Sequence, residues 1–140
     1  MWAVAALPDG EHFVVGLSDV DIVMYHVDGT LVHTFKGHTD EVIAVAVTRD
    51  GQHVISSSAD NTVKVWSVAS KSLVSTCGEE DNEDDDIEGH TADVYAVAAM
   101  PDGQRILSGA DDKTVRVWLL NGTLETVSYT HLTLPTKRIV

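Results

Sequence analysis

Three aspartate-glycine pairs in this chain are each followed, at one fixed distance, by an aromatic residue. The pairs lie at residues 9–10, 50–51 and 102–103, and the residues fifteen places beyond the glycines are Tyr25, Trp66 and Trp118. Similar apolar runs precede the pairs, at residues 2–8, 43–49 and 95–101. The chain is therefore expected to fold as tandem structural units with a period near 40 residues, and not around one core.

One unit carries an insertion. Tyr25 precedes His38 by 13 residues, whereas Trp66 precedes His90 by 24, which places 11 additional residues between Cys77 and His90. Eight acidic residues occur in this segment, between positions 79 and 88. We expect residues 78–88 to form a loop, because closely spaced like charges repel and bury no apolar surface.

Each unit has the pattern of four short strands separated by turns. In the middle unit the strands are predicted at residues 42–48, 53–58, 62–66 and 72–76. Residues 62–66 alternate, which places Val63 and Val65 on one face and Thr62, Lys64 and Trp66 on the other. The pairs at residues 28–29 and 121–122 contain residue types that accept the positive φ angles of a tight hairpin. We therefore predict that each unit is a four-stranded antiparallel meander. Sheets repeated in this way are typical of β-propeller blades.

Two further motifs give the units a family resemblance. Gly-His pairs stand at residues 37–38 and 89–90, and the third predicted strands end in Thr-Val-Lys-Val-Trp and Thr-Val-Arg-Val-Trp. Over residues 1 to about 126 the chain resembles WD repeats. The resemblance implies an all-β fold, a partial β-propeller of three four-stranded antiparallel blades at about residues 1–36, 37–77 and 89–126. It also implies a protein that serves as a scaffold for other proteins and is not an enzyme.

The recurring polar residues can form a hydrogen-bonded chain. An indole nitrogen only donates and an ionised aspartate only accepts, while serine and neutral histidine do both. The predicted networks contain Trp66, Ser56, His38 and Asp60 in the middle unit, and Trp118, Ser108, His90 and Asp112 in the third. The first unit supplies Asp19 and Tyr25, but Val15 stands at the serine position, so its network is expected to be incomplete.

The same residue types could also suggest chemistry. Asp60, His38 and Ser56 are the components of a hydrolase triad, which requires an accessible serine beside an oxyanion hole. Because the trio recurs at equal spacing with a tryptophan each time, we interpret it as a structural device and predict no catalytic residues. The histidines show no metal-ligand spacing such as His-x-x-x-His, and no glycine-rich phosphate loop is present, so no metal or cofactor is expected.

A partner surface is predicted on one rim of the propeller. In the resembling family, this rim carries the residue that opens each inner strand, the residue two places before it, and the residue before each turn aspartate. Those positions hold Trp2, Ile43 and Tyr95, then Glu41 and Asp93, then Ser18, Ala59 and Asp111. Aromatic side chains among acids favour a peptide that carries Lys or Arg. The alternative is that Trp2 and Tyr95 pack between blades.

Charge and composition narrow the classes of partner. The formal net charge is −13, and a surface of this sign repels phosphate backbones, so we expect no nucleic-acid binding. The acidic loop could attract a basic protein or simply aid solubility. One cysteine, the absence of a signal-peptide pattern and the absence of a membrane-spanning apolar run favour an intracellular protein, cytoplasmic or nuclear.

The end of the chain departs from the repeat. Residues 127–136 match the translation of a transposon-type sequencing adapter, so we interpret residues 127–140 as a non-native or disordered tail. The alternative is a natural tail in which His131 acts as the next loop histidine. Under the first interpretation the chain is part of a longer protein that holds the missing blades. The open flanks should then make the isolated chain marginally stable and cause it to self-associate or aggregate. These blades could then also be a regulatory or targeting domain of a larger enzyme, such as a kinase, an NTPase or a ubiquitin-ligase subunit.

Overall fold

A computed structural model describes residues 3–16, 20–77, 90 and 92–129. These residues form twelve strands in three groups of four, in chain order. The first blade contains β1 (Ala3–Ala6), β2 (His12–Gly16), β3 (Ile22–His26) and β4 (Leu31–Phe35). The middle blade contains β5 (Val42–Val47), β6 (His53–Ser58), β7 (Val63–Ser67) and β8 (Ser72–Cys77). The third blade contains β9 (Val94–Ala99), β10 (Arg105–Ala110), β11 (Thr114–Leu119) and β12 (Leu124–Tyr129).

Every blade is a meander of sequential antiparallel strands. The sheet orders are β1-β2-β3-β4, β5-β6-β7-β8 and β9-β10-β11-β12. Contacts between blades involve mainly the inner strands, where β5 lies against both β1 and β9. The all-β fold of three propeller blades expected from the sequence is confirmed.

The repeated aspartate-glycine pairs connect the first and second strands of each blade. Gly10, Gly51 and Gly103 all have a φ angle of +74°, a conformation that glycine adopts without the steric cost of a Cβ atom. The aspartate before each glycine accepts a hydrogen bond at Oδ1 from the backbone N–H two residues later, at 2.7 to 2.9 Å. The pair therefore stabilises the turn through both its residues.

The hairpins between the third and fourth strands differ from the expected geometry. Gly29 and Gly122 have φ angles of +96° and +93°, whereas the residues before them are not in the positive-φ region. In each hairpin the glycine N–H donates to the carbonyl three residues earlier, Gly29 to His26 and Gly122 to Leu119, and the N–H of that residue donates to the carbonyl of Thr30 or Thr123. A three-residue loop that ends in one glycine with positive φ is the geometry of a turn that ends in a glycine bulge.

Two hydrophobic clusters join the blades face to face. The first combines Val14, Ile22, Met24 and Phe35 of the first blade with Val42, Val54 and Trp66 of the middle blade. The second combines Ile55, Val63, Val65 and Cys77 of the middle blade with Val94, Ile106, Ala110 and Trp118 of the third. The middle blade is thus covered on both faces.

Because the middle blade is covered on both faces, the alternating pattern of β7 does not separate a buried face from an exposed one. The two valines do share a face, but Lys64 and Trp66 on the other face are also buried, at 8% and 2% exposure. The Lys64 Nζ group donates a hydrogen bond to Thr76 Oγ1 at 2.9 Å. A polar face in the sequence therefore becomes an interface between blades in the structure.

The ends of the predicted units are placed as follows. β12 continues to Tyr129, and its residues 127–129 pair with β11 beyond the expected blade end at residue 126. The acidic loop at 78–88, residues 130–140, Trp2, Ser18 and Asp19 lie outside the described residues. Within the described part of the chain, no helix is long and apolar enough to cross a membrane.

Candidate protein-interaction rim

The structure brings the four polar residues of the middle blade into one hydrogen-bonded chain. The Trp66 indole N–H donates to Ser56 Oγ at 2.9 Å. Ser56 Oγ lies 2.6 Å from His38 Nε2, and His38 Nδ1 lies 2.8 Å from Asp60 Oδ2. Because the carboxylate only accepts, the proton of a neutral His38 is on Nδ1, and the serine hydroxyl donates to Nε2. The chain connects the loop before β5 to strands β6 and β7 and to the turn between them.

The third blade repeats this arrangement with nearly the same distances. The Trp118 indole N–H donates to Ser108 Oγ at 2.8 Å. Ser108 Oγ lies 2.7 Å from His90 Nε2, and His90 Nδ1 lies 2.9 Å from Asp112 Oδ2. Equal geometry at two positions of a repeat indicates that the residues hold the blade together in the same way each time.

Two threonines complete the networks and were missed in the sequence analysis. Thr62 Oγ1 donates to Asp60 Oδ1 at 2.5 Å, and Thr114 Oγ1 donates to Asp112 Oδ1 at 2.6 Å. Each threonine stands two residues after its aspartate, so the common spacing was the available signal. The Thr39 backbone N–H also donates to Asp60, at 3.0 Å.

The electrostatics of the networks follow from burial and these hydrogen bonds. Burial by itself would raise the pKa of Asp60, but hydrogen bonds from His38, Thr62 and the Thr39 N–H outweigh it and lower the pKa far below its usual range. Burial lowers the pKa of His90, against the opposing effect of Asp112. Asp60 is thus held ionised, and His90 favours its neutral form.

The serines are not placed for nucleophilic chemistry. Ser56 and Ser108 are 0% and 1% exposed, and each hydroxyl already contacts both an indole nitrogen and an imidazole nitrogen. A nucleophilic serine needs open space on the side from which the substrate carbonyl approaches. The Asp-His-Ser trio is therefore used for internal hydrogen bonding in both blades.

The first blade lacks this network among its described residues. Val15, at the serine position, is 7% exposed, so a methyl-bearing side chain occupies the place of the hydroxyl. Tyr25, at the tryptophan position, stacks on Phe13 with ring centroids 5.5 Å apart. Aromatic packing stabilises this part of the blade instead of a polar chain.

The predicted rim residues of the middle and third blades lie at the start of the inner strands. Ile43 and Tyr95 each stand at a register shift, where one additional residue is accommodated opposite β6 or β10. The Ala59 N–H donates to the Glu41 carbonyl at 3.0 Å, and the Asp111 N–H donates to the Asp93 carbonyl at the same distance. Two segments distant in sequence thus lie side by side in each blade, and the bulge turns the intervening side chain away from the ladder.

Exposure differs between the two blades. Tyr95 is 53% exposed, and Asp93 and Asp111 are exposed as well, whereas Ile43 and Glu41 are half-buried. The described residues contain no group of three or more His, Cys, Asp or Glu side chains that could hold a metal ion. The rim therefore presents an aromatic ring, carboxylates and backbone edges.

Four-stranded meanders that pack face to face, two of them held by Asp-His-Ser-Trp chains, define a protein of the β-propeller class. The chain belongs to the WD-repeat family: the model of the WD domain, G-beta repeat, matches residues 29–67 and 84–118, just over half of the sequence. This membership confirms the resemblance inferred from the motifs.

Several curated relatives share the repeats. COMPASS component SWD3 of Saccharomyces cerevisiae is 30% identical over 112 residues, which cover 79% of this chain and 32% of the relative. A Denticleless protein homolog of Danio rerio is 30% identical over 118 residues, or 80% of this chain and 17% of the relative. Nuclear distribution protein PAC1 of Candida tropicalis is 33% identical over 87 residues, or 56% and 18%. The chain spans about a third or less of the length of these relatives.

Proposed function

We propose that this chain is a non-catalytic platform for protein-protein interaction, and that the rim around Tyr95 binds a basic peptide segment of its partner. The observation that carries the proposal is that Tyr95 is 53% exposed and that Asp93 and Asp111, whose backbones are hydrogen-bonded to each other at the start of the same inner strand, are exposed as well. Aromatic anchors among charged side chains are the usual centres of binding energy in protein interfaces.

The middle blade supports a binding role for this position over simple packing between blades. Ile43 corresponds to Tyr95, and it remains half-buried although both faces of its blade are covered. A neighbouring blade therefore does not close this position completely. If Trp2 occupies the corresponding position of the first blade, three such side chains would be arranged along one rim.

The charge near the rim supports a basic partner. Asp40 and Glu41 lie beside the inner strand of the middle blade, and the Asp40 carboxylate accepts the Glu41 N–H at 2.7 Å. In the third blade, Asp93 stands at the position of Glu41 and Asp111 at that of Ala59, and the Asp111 N–H donates to the Asp93 carbonyl. Carboxylates on both blades would attract Lys or Arg side chains and would disfavour phosphate backbones.

The names of the relatives are consistent with a role in protein assemblies. SWD3 is named as a component of COMPASS, and PAC1 as a nuclear distribution protein. By analogy we propose that the present chain acts within an intracellular protein assembly, in the cytoplasm or the nucleus. Ser56 and Ser108 are buried, and each hydroxyl already has two hydrogen-bond partners, which supports a role without hydrolytic activity.

The test is a binding titration with defined peptides. Fluorescently labelled short peptides that carry Lys or Arg beside an aliphatic residue are titrated with the chain, and matched peptides carry Glu in place of the basic residue. We expect anisotropy to rise only with the basic set, and added salt to weaken binding because it screens exposed charges. Equal binding of both sets would contradict the basic-partner proposal.

Matched variants locate the surface. Tyr95→Ala and Asp93→Asn should each weaken binding at least tenfold, which corresponds to about 1.4 kcal/mol. Glu11→Gln is the control, because Glu11 is an exposed acid at the opposite end of the first blade, after the turn at Gly10. Loss of binding in the control, or retention in both rim variants with the fold intact, would place the interaction elsewhere.

A further inference from the structure

The loop that leads into the inner strand of the middle blade carries two acids, and hydrogen bonds hold its backbone in place. The Glu41 N–H donates to Asp40 Oδ1 at 2.7 Å, and the Glu41 carbonyl accepts the Ala59 N–H at 3.0 Å. The Asp40 carbonyl accepts a hydrogen bond from Ser58 Oγ at 3.1 Å. The peptide group between the two acids is thus bonded at both its N–H and its carbonyl. We call Asp40 and Glu41 the acidic pair of the middle blade.

Ser58 connects the acidic pair to the polar network of the blade. Its side chain is fully buried, and its hydroxyl oxygen also accepts the Asp60 N–H, at 3.0 Å. The Asp60 carboxylate is in turn held by His38 and Thr62. A buried hydroxyl that donates one hydrogen bond and accepts another has a defined orientation. The backbone of the acidic pair is therefore fixed by a side chain that lies below the surface.

The blade fold itself does not require a serine at this position. The residue two places before the turn aspartate is Leu17 in the first unit and Ala110 in the third. Ala110 is 2% exposed and pairs with Val94, as Ser58 pairs with Val42. The third blade nevertheless forms its polar network, with nearly the same distances as the middle blade. Because the network forms without this hydroxyl in one blade, the hydroxyl has another role in the other.

The serine occurs together with the second acid. Glu41 corresponds to Asp93 of the third unit, whereas Asp40 corresponds to Ala92. Asp40 is exposed and Ala92 is half-buried. The blade that has the hydroxyl is therefore the one whose loop carries two consecutive acids. Adjacent like charges repel, and a hydrogen bond to the peptide group between them keeps the two acids in one arrangement.

Such an arrangement matters for binding. A surface carboxylate that is ordered only when a partner binds loses part of the interaction free energy, whereas one on a backbone that is already fixed does not. The two faces of the middle blade are covered by the first and third blades. The acidic pair therefore stands on a rigid support.

We propose that Ser58 is a positioning residue of the interaction rim. Through the Asp40 carbonyl it holds the acidic pair in the orientation that accepts a Lys or Arg side chain of the bound peptide, and it thereby determines how strongly the rim selects positive charge. This inference rests on the proposed function. Tyr95 is the aromatic anchor on the neighbouring blade, and the acidic pair adds the charge selection of the middle blade.

The first test compares charge selection in the 140-residue chain and in its Ser58→Ala variant. The probes are a fluorescently labelled peptide with Lys or Arg beside an aliphatic residue and a matched peptide with Gln in place of the basic residue. Ser58→Ala should weaken binding of the basic peptide about fivefold and leave binding of the Gln peptide unchanged. Ser57→Ala is the control, because it removes an adjacent hydroxyl for which the described residues supply no hydrogen-bond partner. It should bind both peptides as the wild type does.

The near-ultraviolet circular dichroism of Trp66 and Trp118 shows whether each variant is folded. In a folded Ser58→Ala variant, either equal weakening of both peptides or unchanged affinity for the basic one would overturn the proposal. The proposed function fails in a different way, because the wild-type chain itself would then bind basic and acidic peptides equally.

A double-mutant cycle tests whether Ser58 acts through the acidic pair. Asp40→Asn combined with Glu41→Gln removes both charges and keeps the size of the side chains. In that background Ser58→Ala should change the affinity for the basic peptide by less than about twofold, because the position of the pair has no effect without its charges. The same loss in both backgrounds would contradict a positioning role.

Ala110→Ser gives a test that does not depend on loss of a contact. The new hydroxyl would stand at the place of Ser58 in the third blade and would hold the peptide group that precedes Asp93. We expect the basic peptide to bind about twofold more tightly and the Gln peptide to bind as before. Unchanged or weaker binding of the basic peptide by a folded Ala110→Ser variant would overturn the proposal.

Discussion

Gly37 lies directly against the indole ring of Trp66, so that a Cβ atom at Gly37 would be 2.9 Å from Trp66 Cη2. The Gly-His pair that marks the start of the middle unit therefore has two separate purposes. The histidine joins the polar network, and the glycine leaves room for the ring whose N–H completes that network. Trp66 is 2% exposed and packs against Phe35 on its other side, so the ring cannot easily move.

Gly37→Ala is expected to destabilise the chain by about 1–3 kcal/mol, the usual cost of forcing an additional carbon into a packed site. The measurement is urea unfolding followed by tryptophan fluorescence, at one protein concentration. Thr39→Ala, a change at an exposed residue of the same loop, is the control and should have little effect. A Gly37→Ala variant as stable as the wild type would mean that the ring and the loop adjust without cost.

Ser56→Ala should cost about 1–3 kcal/mol, because it leaves the Trp66 N–H and the His38 Nε2 buried without a partner. Ser57→Ala is a matched control one residue away. The Ser57 hydroxyl is fully buried, and no hydrogen-bond partner for it occurs in the described part of the chain. Removing it should leave stability unchanged or raise it, since a buried hydroxyl without a partner is unfavourable. Equal losses in the two variants would show that the network adds nothing beyond packing.

Acidification should weaken the fold in two steps. Burial lowers the pKa of His90 below its ordinary value of 6.5, so the unfolded chain takes up this proton first and stability falls as the pH drops below about 6.5. For one proton the slope is at most about 1.4 kcal/mol per pH unit. The lowered pKa of Asp60 contributes stability above its ordinary pKa of 3.8, and this contribution is lost below that pH.

Urea midpoints measured between pH 7 and pH 5 check the first step. His90→Gln should be less stable than the wild type at pH 7, yet its midpoint should change less over this range. Parallel curves for the two proteins would assign the pH dependence to other groups.

Cys77 should be inert in the folded chain. Burial raises the pKa of its thiol to about 12, although the nearby Lys64 opposes the shift, and the side chain is part of the cluster between the middle and third blades. Because only the thiolate attacks thiol reagents, modification by a disulfide reagent should be at least tenfold slower in buffer than in urea. Rapid labelling in buffer, with the circular dichroism of the folded chain retained, would show that the junction opens locally.

The blades and their polar networks could be predicted from the sequence because each depends on short-range patterns. The spacing from each Asp-Gly pair to the aromatic residue equals the combined length of the second strand, the following turn and the third strand. This length is set by local geometry, so it recurs in each unit. The burial of Lys64 could not be predicted in this way. It depends on the neighbouring blade, which an alternating pattern within one strand does not report.

The hairpin geometry and the exposure of the rim also required coordinates. Asp28 and Asn121 tolerate positive φ, but each hairpin loop has three residues, and only the glycine that ends the loop is in that region. Likewise, Ile43 and Tyr95 have equivalent places in the repeat, and the difference in their exposure arises from the different surroundings of their blades. Trp2 and Asp19 remain predictions.

Val54 and Ile55 are consecutive residues of one strand, yet they belong to different hydrophobic clusters. The two faces of the middle blade therefore form two different junctions, one with the first blade and one with the third. Spectroscopic labels at Val54 and Ile55 would report on these two junctions separately, although the two residues are adjacent in the backbone. Loosening at one end of the chain could then be distinguished from loosening at the other.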